Sequence, residues 1–206
     1  MKILELEFEN WYTLVARFNW MALIIFLLSV LLLIYILKKI LPLIWRGKVE
    51  VDELSLGIGN SSIKLRYNKK DQEIAYKLWV ELNTRKIGLP YDEENDVIDE
   101  IYNSWYKFFE IARELLKDVP ANRLSHTNEL IELTTKVLND GLRPHLTLWQ
   151  ARYRKWYKFK TEDTRAPQEI QREFPEYNAL MKDLKATNLR MIEYKKLMYK
   201  IAFGKT

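Results

Sequence analysis

Cysteine is absent from the 206-residue chain. That excludes disulfides, thiolate metal sites and cysteine nucleophiles. Histidine is scarce: His126 and His145 are the only two, too few for a histidine-rich metal site. Glycine and proline supply six residues each, which excludes collagenous and low-complexity chains. With 48% hydrophobic residues the chain can build a core, so it does not read as disordered.

Motifs of enzymatic chemistry are missing as well. No GxSxG, HExxH or kinase set occurs. Gly204-Lys205-Thr206 imitates the end of a phosphate-binding loop but has no helix behind it, and Gly57-Ile58-Gly59 lacks a third glycine. The acidic run from Asp92 to Glu100 has no glycine at calcium-loop spacing. Arg143 with His145, and Arg123 with His126, match no nuclease spacing, and a structural histidine is the simpler reading. The sequence therefore predicts no catalytic residue, no metal and no cofactor.

What is present begins with eighteen uncharged residues, Trp20 to Leu37, whose single aliphatic hydroxyl is Ser29. As a helix this run is about 27 Å long, close to the hydrocarbon thickness of a bilayer. Trp20 and Tyr35 mark its ends, Trp45 lies just beyond, and Lys38 and Lys39 close it. The acidic flank of Glu5, Glu7 and Glu9 does not resemble a signal-peptide n-region, so a retained anchor is expected. Basic residues behind the run (Lys38, Lys39, Arg46, Lys48) outnumber Lys2 and Arg17 ahead of it. The positive-inside rule then predicts a single-pass inner-membrane protein with its N-terminus outside and about 160 residues in the cytoplasm.

The net charge of +5 sits in one place. Residues 38–70 carry eight basic side chains against Glu50, Asp52 and Glu53, whereas residues 71–206 carry 23 basic and 22 acidic groups. Basic residues near anionic headgroups contribute about 1 kcal/mol each, so membrane proximity accounts for the excess without nucleic acid. A local exception runs from Arg143 to Lys160. There Arg152, Arg154, Lys155, Lys158 and Lys160 interleave with Trp149, Tyr153, Trp156 and Tyr157, with no acidic residue. Such a stretch can pair with the acidic cluster at 92–100, meet a membrane or protein partner, or bind nucleic acid, the least favoured of the three.

The expected fold class is mainly α, in four regions. They are an amphipathic N-terminal segment (1–19), a transmembrane helix with its interfacial end (20–45), a basic juxtamembrane β-hairpin (46–70) and a cytoplasmic helical domain (71–206). The hairpin is read from Leu54, Leu56 and Ile58, then Gly59-Asn60-Ser61-Ser62, then Ile63, Leu65 and Tyr67. Helices are expected over about 71–86 and 94–119, from Ser125 or Thr127 to Asn139, from Pro144 onward, and over about 176–203. Asp140-Gly141 is expected to separate the third from the fourth. In the last helix Leu180, Leu184, Thr187, Met191, Tyr194, Met198 and Ile201 alternate four-three, the spacing of a coiled-coil seam or of internal packing. The same alternation links Leu4, Phe8, Trp11, Val15 and Phe18 to Ala22, Ile25 and Ser29. It reads as one unbroken helix whose small residues, Ala22 and Ser29, allow self-association, or as coincidental lipid-facing spacing.

Two stretches, WVELNTRKIGLPYDEENDVIDEIYNSWYKFF from Trp79 to Phe109 and GLRPHLTLWQARYRKWY from Gly141 to Tyr157, together with the span ahead of them, carry a resemblance. They resemble small bacterial single-span membrane effector proteins of anti-phage defence loci. The resemblance implies a non-enzymatic, oligomerising effector that perturbs the inner membrane when a cytoplasmic sensor protein or nucleoprotein engages it. It points to Arg143, Pro144, His145, Trp149 and Arg152 as the partner or ligand surface, to which the basic aromatic stretch adds Arg154, Lys155 and Trp156. The alternative is a membrane tether that holds nucleic acid through that stretch.

Overall fold

The computed structural model describes residues 4–10, 13–18, 20–44, 47–160 and 162–204. The chain is mainly α-helical and divides into two compact units, Met1–Arg46 and Gly47–Thr206.

In the first unit, strands β1 (Leu4–Asn10) and β2 (Thr13–Phe18) pair antiparallel, with a register shift between Phe8 and Asn10. This overturns the reading of one helix running from the N-terminus into the apolar segment. Leu4, Leu6 and Phe8 alternate with Glu5, Glu7 and Glu9, a period of two that the four-three pattern conceals. Trp11 lies outside the described residues. Helix α1 (Trp20–Ile44) follows, and its stretch Trp20–Ile40 is long and apolar enough to cross a membrane.

The second unit opens with β3 (Gly47–Asp52), the one-turn helix α2 (Glu53–Leu56) and β4 (Ser62–Tyr67). Strands β3 and β4 pair from Gly47↔Tyr67 to Asp52↔Ser62. The predicted hairpin exists, but its first strand lies earlier than expected. Leu56 and Ile58 belong to the connection, where Leu56 is buried in the core.

Helix α3 (Lys69–Thr84) starts at a reciprocal cap. Asn68 Oδ1 accepts from the Lys70 and Asp71 amides, and Asp71 Oδ2 accepts from the Asn68 amide. Its Ile74, Ala75, Leu78 and Leu82 are buried, as their helical spacing requires. Helix α4 (Ile98–Lys117) begins four residues later than expected, because the acids ahead of it build a turn. Asp92 Oδ1 accepts from the Glu94 and Asn95 amides, and Asp96 Oδ2 from the Asp92 amide. The first helical amide, Ile98 N–H, is capped from a distance by buried Gln171, which also donates to the Asp96 carbonyl.

The expected break at Asp140-Gly141 is absent. Helices α5 (Leu124–Lys136), α6 (Arg143–His145) and α7 (Ala151–Lys158) are joined by π-helical segments Val137–Leu142 and Leu146–Gln150 into one continuous run, 124–158. Pro144 has no amide hydrogen and its ring crowds the turn before it, and a widened turn stands immediately ahead of it. Gly141 lies inside the run where the Leu56 carbonyl comes close: a Cβ there would lie 3.1 Å from that oxygen.

The short helix α8 (Pro167–Ile170) leads to α9 (Tyr177–Phe203), which packs chiefly along α3. All seven four-three positions of α9 are buried in the unit's own core. Internal packing, not a seam between copies, explains that spacing. Tyr194 completes it by donating to Thr134 Oγ1 at 2.8 Å in the interior.

Candidate functional site

The continuous run 124–158 distributes the predicted surface residues over different faces, because a helix turns by about 100° per residue. Arg143, Pro144 and Arg152 face outward and, with Asn139, Thr147 and Leu148, line a shallow depression of about 390 Å³. Arg143 bonds Asn139 Oδ1 and lies 4.9 Å over the Phe109 ring. Lys155 is also exposed.

His145 and Trp149 turn inward. His145 is 2% exposed, and its Nδ1 lies 2.8 Å from Asp183 Oδ2 while its Nε2 lies 3.3 Å from the Tyr102 hydroxyl. Trp149 Nε1 donates to the same Asp183 oxygen at 2.9 Å. The Trp105 ring centroid is 5.3 Å from that of His145. Burial pushes the imidazole below its ordinary range, and the bond and charge of Asp183, which act the other way, only partly offset this. The neutral ring then donates from Nδ1 to the carboxylate and accepts at Nε2 from Tyr102. Tyr102 itself is pushed well above the usual phenol range, first by burial and then by the Asp183 charge.

The basic and aromatic residues farther along are largely committed inside the unit. Arg154 bridges to Asp99 at 2.8 Å and bonds Asn103. Arg152 reaches Glu176 and Lys160 reaches Glu173. Tyr153 is fully buried, stacks on Tyr157 at 5.5 Å and meets Phe174 edge-on, as does half-buried Trp156. Pairing with the acidic cluster is thus realised at Asp99, while Asp96 pairs with Lys86 and Glu93 with Lys185.

Asp183 and Tyr102 went unnoticed in sequence. They lie 38 and 43 positions from His145, and no local pattern links them. Among the described residues no group of three or more His, Asp or Glu is placed to hold a metal ion.

The anchor residues divide in a similar way. Trp20, Tyr35, Lys38 and Lys39 are exposed on α1, and Ala22 is buried. The Ser29 hydroxyl donates to the Phe26 carbonyl at 2.7 Å, so its polarity is satisfied within the helix. Trp45 lies outside the described residues. The exposed large apolar side chains of α1 run from Trp20 through Ile40 and are consistent with a membrane anchor. No family model matches this chain, and no curated protein or solved structure matches it either.

Proposed function

We propose that the protein is a single-pass effector of bacterial anti-phage defence, anchored in the inner membrane by α1 with its second unit in the cytoplasm. That unit receives a sensor protein or nucleoprotein, and assembly of many copies then perturbs the bilayer. The observation that carries this reading is the surface of α1, which offers bulky apolar side chains to its surroundings along its length. A soluble core helix would bury them.

Non-enzymatic action is supported by the commitment of the chain's best candidate chemistry. Both His145 ring nitrogens are engaged, and the ring is buried. The depression bordered by Arg143, Pro144 and Arg152 is the surface best placed to take the partner. The nucleic-acid tether has less support, because Tyr153 is buried and Trp156 packs against Phe174 rather than standing free to stack bases.

Bacteria expressing the full chain from an inducible promoter, beside a copy lacking residues 1–47, test the reading through membrane potential and dye entry. Depolarisation by the full chain alone supports the effector. An intact potential even when the partner is supplied, together with nucleic acid recovered from the membrane fraction and lost on reversing Arg152, Arg154 and Lys155, replaces it with the tether.

A further inference from the structure

Along α3 and α9 four aromatic rings form a cluster at the edge of the core, against which Trp79 packs. Trp79 lies 5.4 Å from Phe203 and 5.8 Å from Tyr199, and Tyr76 meets Phe203 edge-on at 6.2 Å. Tyr76 is 49% exposed and Phe203 45%. At about 100° per residue, Tyr76 and Trp79 share an α3 stripe with Lys69, Gln72 and Asn83. On α9, Lys195 flanks Tyr199 and Phe203 on one side, and Lys196 and Lys200 flank them on the other. Glu73 beside the α3 stripe is occupied by Lys70 and Lys77, and Glu193 beside Lys200 on α9 pairs with Lys196 at 2.7 Å, so the cations that the face offers are Lys69, Lys195 and Lys200.

The position of this cluster narrows its partner. Helix α9 is capped by Gly204, which approaches Gln72 and the Tyr67 hydroxyl. Tyr67 pairs with Gly47, three residues after the end of α1 at Ile44. That connection is short in sequence, and on the anchor reading the unit is delivered to the bilayer surface.

Tyrosine and tryptophan prefer the headgroup region, and lysines reach past apolar surface to anionic groups. We infer that the Tyr76–Trp79–Tyr199–Phe203 face, with Lys69, Lys195 and Lys200 around it, docks on the anionic headgroups of the bilayer. The inference rests on the anchor reading only for how it is delivered there. Burial lowers the Lys195 ammonium and the Lys196 charge adds to this. Docking would hold the α3–α9 face against the membrane and leave the Arg143–Arg152 depression to be reached by a partner.

The absence of cysteine permits a direct test on the full chain. Gln72→Cys on the face and Lys107→Cys on exposed α4 each carry a fluorophore, in phosphatidylcholine vesicles with or without phosphatidylglycerol. Headgroup-attached nitroxide is expected to quench the Gln72 label in anionic vesicles, more weakly in neutral ones, and the Lys107 label in neither. Lys69→Gln and Lys200→Gln should each lower the docked-to-free ratio about fivefold, and Tyr76→Ser with Phe203→Ser should lower it further. Equal quenching of the Gln72 and Lys107 labels in both vesicles overturns the proposal. Shielding that appears in detergent and rises with protein concentration also overturns it, since a second copy would then cover the face. A Leu31→Cys label that mid-chain nitroxide fails to quench removes the anchor, while the headgroup face still stands or falls on the Gln72 label.

Discussion

His145 Nδ1 and Asp183 Oδ2 lie 2.8 Å apart and join the continuous helical run to α9. The bond holds a neutral imidazole in the interior while its carboxylate partner stays partly in solvent. Replacing His145 by alanine opens a cavity and strips the Tyr102 hydroxyl of its acceptor, at a cost of about 3 kcal/mol. Urea denaturation of the variant beside the parent checks this.

The same residue makes stability depend on pH. Burial holds the folded-state value below the ordinary 6.5, so the unfolded chain takes up a proton first as pH falls. The contribution is complete above about pH 6.5 and declines below it until the folded form also titrates. Denaturation midpoints at pH 7.5 and 5.5 should differ in the parent. They should differ less in His145→Gln, which cannot titrate. Equal slopes in the two proteins would mean that other groups govern the window.

Asn188 clasps the connection between α3 and α4. Its Nδ2 donates to the Ile87 and Leu89 carbonyls at 3.0 Å, and its Oδ1 accepts from the Tyr91 amide at 3.2 Å. Asn188→Ala leaves these groups without partners, at a cost of about 3 kcal/mol. Asn188→Asp should be as severe, because a carboxylate facing carbonyl oxygens repels them. Gly88→Ala within the same loop should prevent the fold from closing, since its methyl would overlap the Leu82 carbonyl. Thermal melts of the three variants rank the effects.

Gly141 supplies a test with an unusual sign. A mid-helix glycine replaced by alanine ordinarily gains about 1 kcal/mol. Here the new methyl would press on the Leu56 carbonyl, which belongs to the backbone and has little freedom to give way. Gly141→Ala is therefore expected to destabilise the protein, and a raised melting temperature would show that the Leu56 turn yields.

These contrasts mark where local pattern sufficed. The apolar run of α1, the buried stripes of α3 and α4, and the hairpin's second strand at Ser62–Tyr67 were readable because each depends on residues close in sequence. Gly141 and Pro144 misled for the opposite reason: their usual helix-breaking effect yields to packing from α2 and to π-helical turns. The four-three spacing of Leu4, Phe8 and Val15 coexists with strict alternation from Leu4 to Glu9, and strand pairing with β2 decides between them. At the site, Arg143 and Arg152 stand on the surface, whereas the direction of His145 and Trp149 depends on Asp183, supplied from α9. The half-exposed rings of Tyr76 and Phe203 fall outside the stripes that helical spacing marks as core.

Residues 47–206 should fold without the rest of the chain. Among the described residues their core runs from Val51 to Ile201. The seven four-three positions of α9 are spent inside that core, so they are not available to hold two copies together. The fragment is expected to unfold in a single cooperative transition, reported identically by far-ultraviolet circular dichroism and tryptophan fluorescence. Its melting temperature should stay constant over an about hundredfold range of protein concentration, since a coupled dimer would gain stability by mass action. Two transitions would mean that the hairpin or α9 is a separate folding unit. A concentration-dependent melt would place self-association in the second unit, ahead of any membrane or partner.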